Sequence, residues 1–127
     1  MRYDDIDKND TNETAGIIIE FEEKILLLQR PQGTWAIPKG HIKEGESAYE
    51  GMLRELKEET QLEIKNNIRF LHRTKNKTGS ILYIYHYHSD IKIIPIINKE
   101  HTDWGYFSLN RLPDNIDYGL NRFLDTR

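Results

Sequence analysis

Cysteine is absent from the 127 residues, which excludes disulfides, a thiolate nucleophile and a cysteine-ligated zinc centre. That composition suits a reducing compartment, and a cytoplasmic location is the expectation. Long hydrophobic runs are missing too. The longest aliphatic stretch, Ile91 to Ile97, is interrupted by Lys92 and Pro95 and is too short to span a bilayer. The N-terminus, Met1-Arg2-Tyr3-Asp4-Asp5, has no apolar core of a secretory leader, so no membrane role is expected. Nor is there an excess of basic charge: 18 Lys and Arg against 21 Asp and Glu leave a formal charge of -3. Chain-wide attraction for nucleic-acid phosphates is thereby excluded. A phosphate-rich ligand would have to be met locally, by a metal ion and a few cations. Repeats and low-complexity tracts are lacking, and this length suits one domain, residues 1–127. Residues 1–13, mostly polar, read as a frayed lead-in.

What the chain does have is an unusual concentration of acid between residues 40 and 62. Ser47-Ala48-Tyr49-Glu50 is a capping box, so a helix begins near Ala48. At about 100° per residue, Ala48, Tyr49, Met52, Leu53, Leu56 and Thr60 fall on one side. Gly51, Glu55, Glu58 and Glu59 form an adjoining strip, with the glycine read as room for an approaching ligand. Like charges three and four residues apart cost a helix roughly 0.2–0.5 kcal/mol per pair. Oxygen-only ligands crowded on a rigid element suit a hard divalent cation such as magnesium. A lone Glu-Leu-Lys-Glu-Glu would be an ordinary solvated helix face, but that reading leaves Gly40, Glu46 and Arg54 unexplained.

Together these residues resemble the Nudix box: glycine, five residues, glutamate, seven residues, Arg-Glu, an aliphatic, any residue, Glu-Glu, any residue, glycine, an aliphatic. Gly40, Glu46, Arg54, Glu55, Leu56, Glu58, Glu59 and Leu62 match, and Gln61 replaces the final glycine. The resemblance implies an α/β fold in which a mixed β-sheet is sandwiched between α-helices. It also implies hydrolysis of a nucleoside diphosphate linked to another moiety, with Mg2+ as cofactor and Mn2+ as a substitute. By that analogy Glu55, Glu58 and Glu59 hold the metal or activate water, Gly40 offers a carbonyl near it, and Glu46 pairs with Arg54 to brace loop and helix. The missing glycine puts the last helical turn in question, because a residue with a Cβ reaches the left-handed conformation only at about 1–2 kcal/mol.

Elsewhere, Ala15 to Phe21 and Lys24 to Gln29 are β-prone runs expected to pair antiparallel. Arg30-Pro31-Gln32-Gly33 breaks that pattern before a short strand delivers the box. Arg30 and Lys39 are candidate phosphate contacts, Lys39 as a mobile point charge. Ile68 to Arg73 and Ile81 to His88 read as a hairpin, with Tyr83, Tyr85 and Tyr87 on one face as candidate base-stacking residues and Leu82, Ile84, His86 and His88 on the other. Ile91 to Ile97 reads as an edge strand. In the following loop Glu100, ahead of Trp104-Gly105-Tyr106-Phe107, resembles the further glutamate that many Nudix enzymes bring to the metal. A last helix is expected, capped by Asn115 and burying Ile116, Leu120, Phe123 and Leu124.

Trp35 to His41 followed by Gly45-Glu46-Ser47 is similar to the box region of diadenosine tetraphosphate hydrolases. The expected substrate is therefore a dinucleoside polyphosphate. A nucleoside triphosphate or an ADP-ribose-like conjugate is the alternative, and an RNA 5′ end is less favoured. A non-catalytic nucleotide-sensing module is the competing class, one that would not need its glutamates. A monomer is slightly favoured over a homodimer, since Pro95 argues against long edge pairing.

Overall fold

A computed structural model describes residues 10–75 and 78–125, including strands β1 (Asp10–Phe21), β2 (Lys24–Gln29), β3 (Trp35–Ala36) and β4 (Lys39–Lys43). Helix α1 (Ala48–Thr60) follows, then β5 (Arg69–Lys75), β6 (Ile81–His88), β7 (Asp103–Ser108) and α2 (Tyr118–Asp125). The proposed lead-in lies outside the described residues up to position 9, whereas Asp10 to Glu13 already belong to β1.

The strands form one mixed sheet in the order β3-β2-β1-β6-β5, with β4 paired to β1 and β7 to β2. Its centre is β1, a run of Ala15 and three isoleucines. Both faces of that strand are buried, as expected for a strand with helices on either side. Ala15, Ile17 and Ile19 pack with Leu26, Leu28, Met52 and Leu56 on the α1 side. Ile18 points the other way, to Ile25, Leu27, Ile84, Leu120 and Phe123 on the α2 side. Each such aliphatic side chain contributes about 1.5–3 kcal/mol, so both helices are held by burial. The result is the α/β/α sandwich.

The β1–β2 hairpin turns through Glu22 and Glu23, both at positive φ, and keeps only the pairs Glu20–Ile25 and Phe21–Lys24. Beyond them β1 gives its edge to β4 and β2 gives its edge to β7. The box and the loop before β7 are thereby brought to the same end of the sheet.

Two expectations are corrected. Ile91 to Ile97 is not a strand but an irregular strap: Pro95 cannot donate to a ladder, the Ile96 N–H goes to the Thr60 carbonyl, and the Ile93 carbonyl accepts from Tyr106 Oη. The last helix begins at Tyr118, and its cap is Asp117 rather than Asn115: Asp117 Oδ1 accepts from Leu120 N at 3.0 Å. Ile116 precedes the helix, bridging to Trp35. No helix among the described residues is long and apolar enough to cross a membrane.

Candidate active site

The loop after β4 is tied to α1 by one guanidinium. Arg54 Nε donates to Glu46 Oε2 at 2.7 Å and Nη2 to Glu46 Oε1 at 3.1 Å, a two-pronged pair that adds direction as well as charge. Nη2 also donates to the His41 carbonyl at 2.8 Å, and Glu46 Oε1 accepts from Lys43 N at 2.8 Å. The Arg54 hydrogen bonds hold the Glu46 carboxyl below its ordinary pKa, and Glu46 in turn raises that of Arg54. Ser47 makes the reciprocal capping box with Glu50, and Gln61 closes the helix in the left-handed conformation at φ 60, its N–H on the Lys57 carbonyl. The exit expected of glycine is thus kept by glutamine. Gly51 leaves no room for a ligand, since a Cβ there would meet Ile42 and Glu46; it lets the loop close on the helix.

Arg54 Nη1 further donates to Glu55 Oε1 at 2.9 Å and reaches Glu58 Oε2 at 3.1 Å. Glu58 is half exposed and rests on this guanidinium rather than lining the cleft. Glu55 turns inward against Gly40, where any Cβ would collide with its carboxyl group. Gly40 is required by that close approach. Glu59, 7% exposed, accepts from Lys39 N at 3.1 Å. Burial first, then the charges of Glu55 and Glu100, push the Glu59 carboxyl up to about 9, against the opposing pull of the Lys39 N–H and Arg30. Glu55 is also raised, chiefly by burial, with Arg54 pulling the other way.

These groups open into a cleft of about 590 Å³ lined by Thr14, Arg30, Pro31, Gln32, Lys39, Gly40, His41, Glu55, Glu59, Glu100 and His101. Arg30, Lys39, Gly40, Glu55, Glu59 and Glu100 therefore converge as named from the sequence. The Lys39 ammonium, however, is not mobile: it pairs with buried Asp117 Oδ2 at 2.7 Å. Tyr83, Tyr85 and Tyr87 do not reach the cleft. They pack on the α1 side of the sheet, Tyr85 edge-on to Tyr49 and Phe70 at 5.6 and 5.5 Å, and Tyr83 Oη donates to Glu13 at 2.6 Å. On the opposite face His86 contacts Glu20 at 2.8 Å. His41 and His101 were not singled out by the sequence reading. Only the place of His101 beside Glu100 hinted at it, and for Asp117 there was no signal.

Among the described residues no three acidic or histidine side chains already form a metal-binding group. The donor chemistry nonetheless fits a divalent ion: Glu55, Glu59 and Glu100 offer only oxygen, and burial first, then repulsion from the other two, raises the pKa of Glu59. A carboxyl in that state ionises when positive charge is placed beside it.

Sheet, helices and box together define a Nudix domain, and a family description for the NUDIX domain matches residues 10–126. The chain belongs to the Nudix family. It is 31% identical over 81 residues, 60% of either chain, to the CTP pyrophosphohydrolase of Escherichia coli (strain K12). It is 40% identical over 50 residues to the uncharacterized Nudix hydrolase YvcI of Bacillus subtilis (strain 168), a stretch that is 39% of this chain and 32% of that one. The matched stretch thus spans about a third of the length of YvcI. In fold it is similar to a Caenorhabditis elegans Ap4A hydrolase crystallised as a binary complex, with a TM-score of 0.69 at 22% identity over 90% of this chain and 99% of the other.

Proposed function

We propose that this chain, acting as a single domain, hydrolyses a phosphoanhydride bond in a nucleoside diphosphate linked to another moiety, and that the moiety is a second nucleotide of a dinucleoside polyphosphate. The observation that carries the reaction is the placing of buried Glu59 and largely buried Glu55 in one cleft that also presents Arg30 and Glu100. Burying like charges is costly. A module that only sensed nucleotides need not keep them. Glu55, Glu59 and Glu100 would hold a divalent ion, Mg2+ with Mn2+ as a substitute, which supplies charge neutralisation and Lewis acidity at the phosphate. Arg30 meets phosphate charge, Glu55 or Glu59 accepts the proton from the attacking water, and Arg54 fixes Glu55 while Lys39 N fixes Glu59 on the same rigid helix.

The substrate class rests on the stretch from Trp35 to His41 with Gly45 to Ser47. The likeness to a CTP pyrophosphohydrolase supports a second reading, a nucleoside triphosphate. A magnesium-dependent panel of diadenosine tetraphosphate, CTP, ATP, ADP-ribose and capped RNA, run with Glu59→Gln alongside, tests both. Turnover of the dinucleotide that disappears in the variant is the expected result. Binding without turnover would establish the sensor instead.

A further inference from the structure

His101 is a buried histidine in an open cleft. It is 9% exposed, lines the cleft beside Glu100, and its Nδ1 is buried with no hydrogen-bond partner among the described residues. Buried polar atoms are nearly always paired, and an unpaired one costs about 1–3 kcal/mol. Packing alone does not call for this nitrogen, because a leucine or phenylalanine would fill such a site without that cost. The segment that carries the ring is also well anchored: His101 N donates to the Asn98 carbonyl at 3.1 Å and Thr102 N to the Gln29 carbonyl at 2.8 Å. The backbone is held while Nδ1 makes no hydrogen bond among the described residues, so a ligand's polar group would not have to displace one.

Resting on the phosphoanhydride reading above, we infer that His101 is a specificity-determining residue, whose imidazole hydrogen-bonds the neutral polar part of the nucleoside, a ribose hydroxyl or a base edge. Its position supports this assignment. Arg30, whose charge is felt at both His101 and Glu59, is the group suited to phosphate, whereas a ring nitrogen adds a single directional bond. Tyr83, Tyr85 and Tyr87 are packed away from the cleft, so they offer no stacking surface there. Polar edge contacts must then carry more of the discrimination, as they do where a site is built to bond a substrate hydroxyl or amine.

The test uses His101→Leu, which keeps volume and removes both nitrogens, and His101→Asn, whose amide overlays Nδ1. Steady-state kinetics on ATP, 2′-deoxy-ATP and CTP are compared with inorganic tripolyphosphate, which has no nucleoside. Calorimetric binding of the same ligands, with calcium in place of magnesium to suppress turnover, is measured with Glu59 intact, and a thermal melt checks folding of each variant. His101→Leu should weaken nucleotide binding about 10-fold, the worth of one hydrogen bond, through KM rather than kcat. Tripolyphosphate binding should be unchanged and His101→Asn should recover part of the loss. A penalty that vanishes with 2′-deoxy-ATP assigns the ribose; one that differs between ATP and CTP assigns the base. Equal losses on nucleotide and tripolyphosphate, or none on either, would overturn the inference. If wild type binds nucleotides without turnover, the hydrolase reading fails while the binding arm still decides the role of His101. If neither ligand binds, both readings fall.

Discussion

Glu59 is under two opposed demands. The proposed reaction asks for a carboxylate, while burial and the acids nearby push it up to about 9. Because the folded-state pKa lies above the unfolded value, its favourable contribution is complete below about pH 4.5 and is lost as pH rises towards 9. Glu59→Gln should therefore raise the melting temperature of the metal-free protein at pH 8, by the equivalent of about 1 kcal/mol or more, and the gain should disappear near pH 4. The same variant should lower turnover roughly 10²-fold or more. A melt series across pH beside a rate assay checks both halves, and a variant less stable at pH 8 would contradict the account. The proton on Glu59 also competes with any cation. Divalent-ion affinity should rise between pH 6 and 9, with proton release on binding, measurable by calorimetry in buffers of different ionisation enthalpy.

At the scale of the element, the loop-and-helix unit is held by Arg54. Arg54→Ala would leave Glu46, Glu55 and Glu58 facing one another without their shared counter-charge. The expected cost is about 2 kcal/mol, below that of a fully buried pair because the Arg54 side chain is 22% exposed. Arg54→Lys should not restore it, since an ammonium cannot reach Glu46, Glu55 and the His41 carbonyl in one fork. Denaturant midpoints would show both. Helix α1 ends on the other local device, Gln61 at φ 60. Gln61→Gly should stabilise by about 1 kcal/mol with kcat unaltered. A large change in rate would mean that strain at the exit reaches Glu59. Part of this unit was legible beforehand: the capping box is a contact of short separation set by helical geometry, and the Glu46–Arg54 brace was implied by the resemblance, whereas the split between Glu55, turned to Gly40, and Glu58, left on Arg54, was not. Gly51 was misread for the complementary reason. What fills the space above a helical glycine is decided by the neighbouring strand, here Ile42 of β4.

Across the whole molecule the cleft depends on a connection between opposite ends of the chain. Asp117 caps α2 through Leu120 N and takes the Lys39 ammonium, while Lys39 N donates to Glu59. The second helix is thereby linked to the floor of the site. Asp117→Ala should cost about 2 kcal/mol from cap and ion pair together, and Asp117→Asn less, since an amide still caps. In a double-mutant cycle with Lys39→Met the two losses should be non-additive; simple additivity in denaturant melts would show that the pair is not coupled. Such a link could not be read in advance, and neither could the fate of the tyrosines. Alternation correctly placed Tyr83, Tyr85 and Tyr87 on one face, but that face is covered by α1 and, at Tyr85, by Tyr49 and Phe70.

The residues of the box carried the resemblance to the Nudix family, which in turn implied the Glu46–Arg54 brace, and alternation gave the two faces of β6, because side-chain periodicity depends only on neighbours in the chain. Tertiary structure alone decided which face became the cleft, that Lys39 answers to Asp117, and that His101 lines the same cleft as Glu59 and Arg30. The reason lies in the strand order: β1 parallel to β6 and β7 laid along β2 carry distant loops to one end of the sheet. Those pairings are settled by burial of two cores at once, a property of the assembled chain that no short window contains.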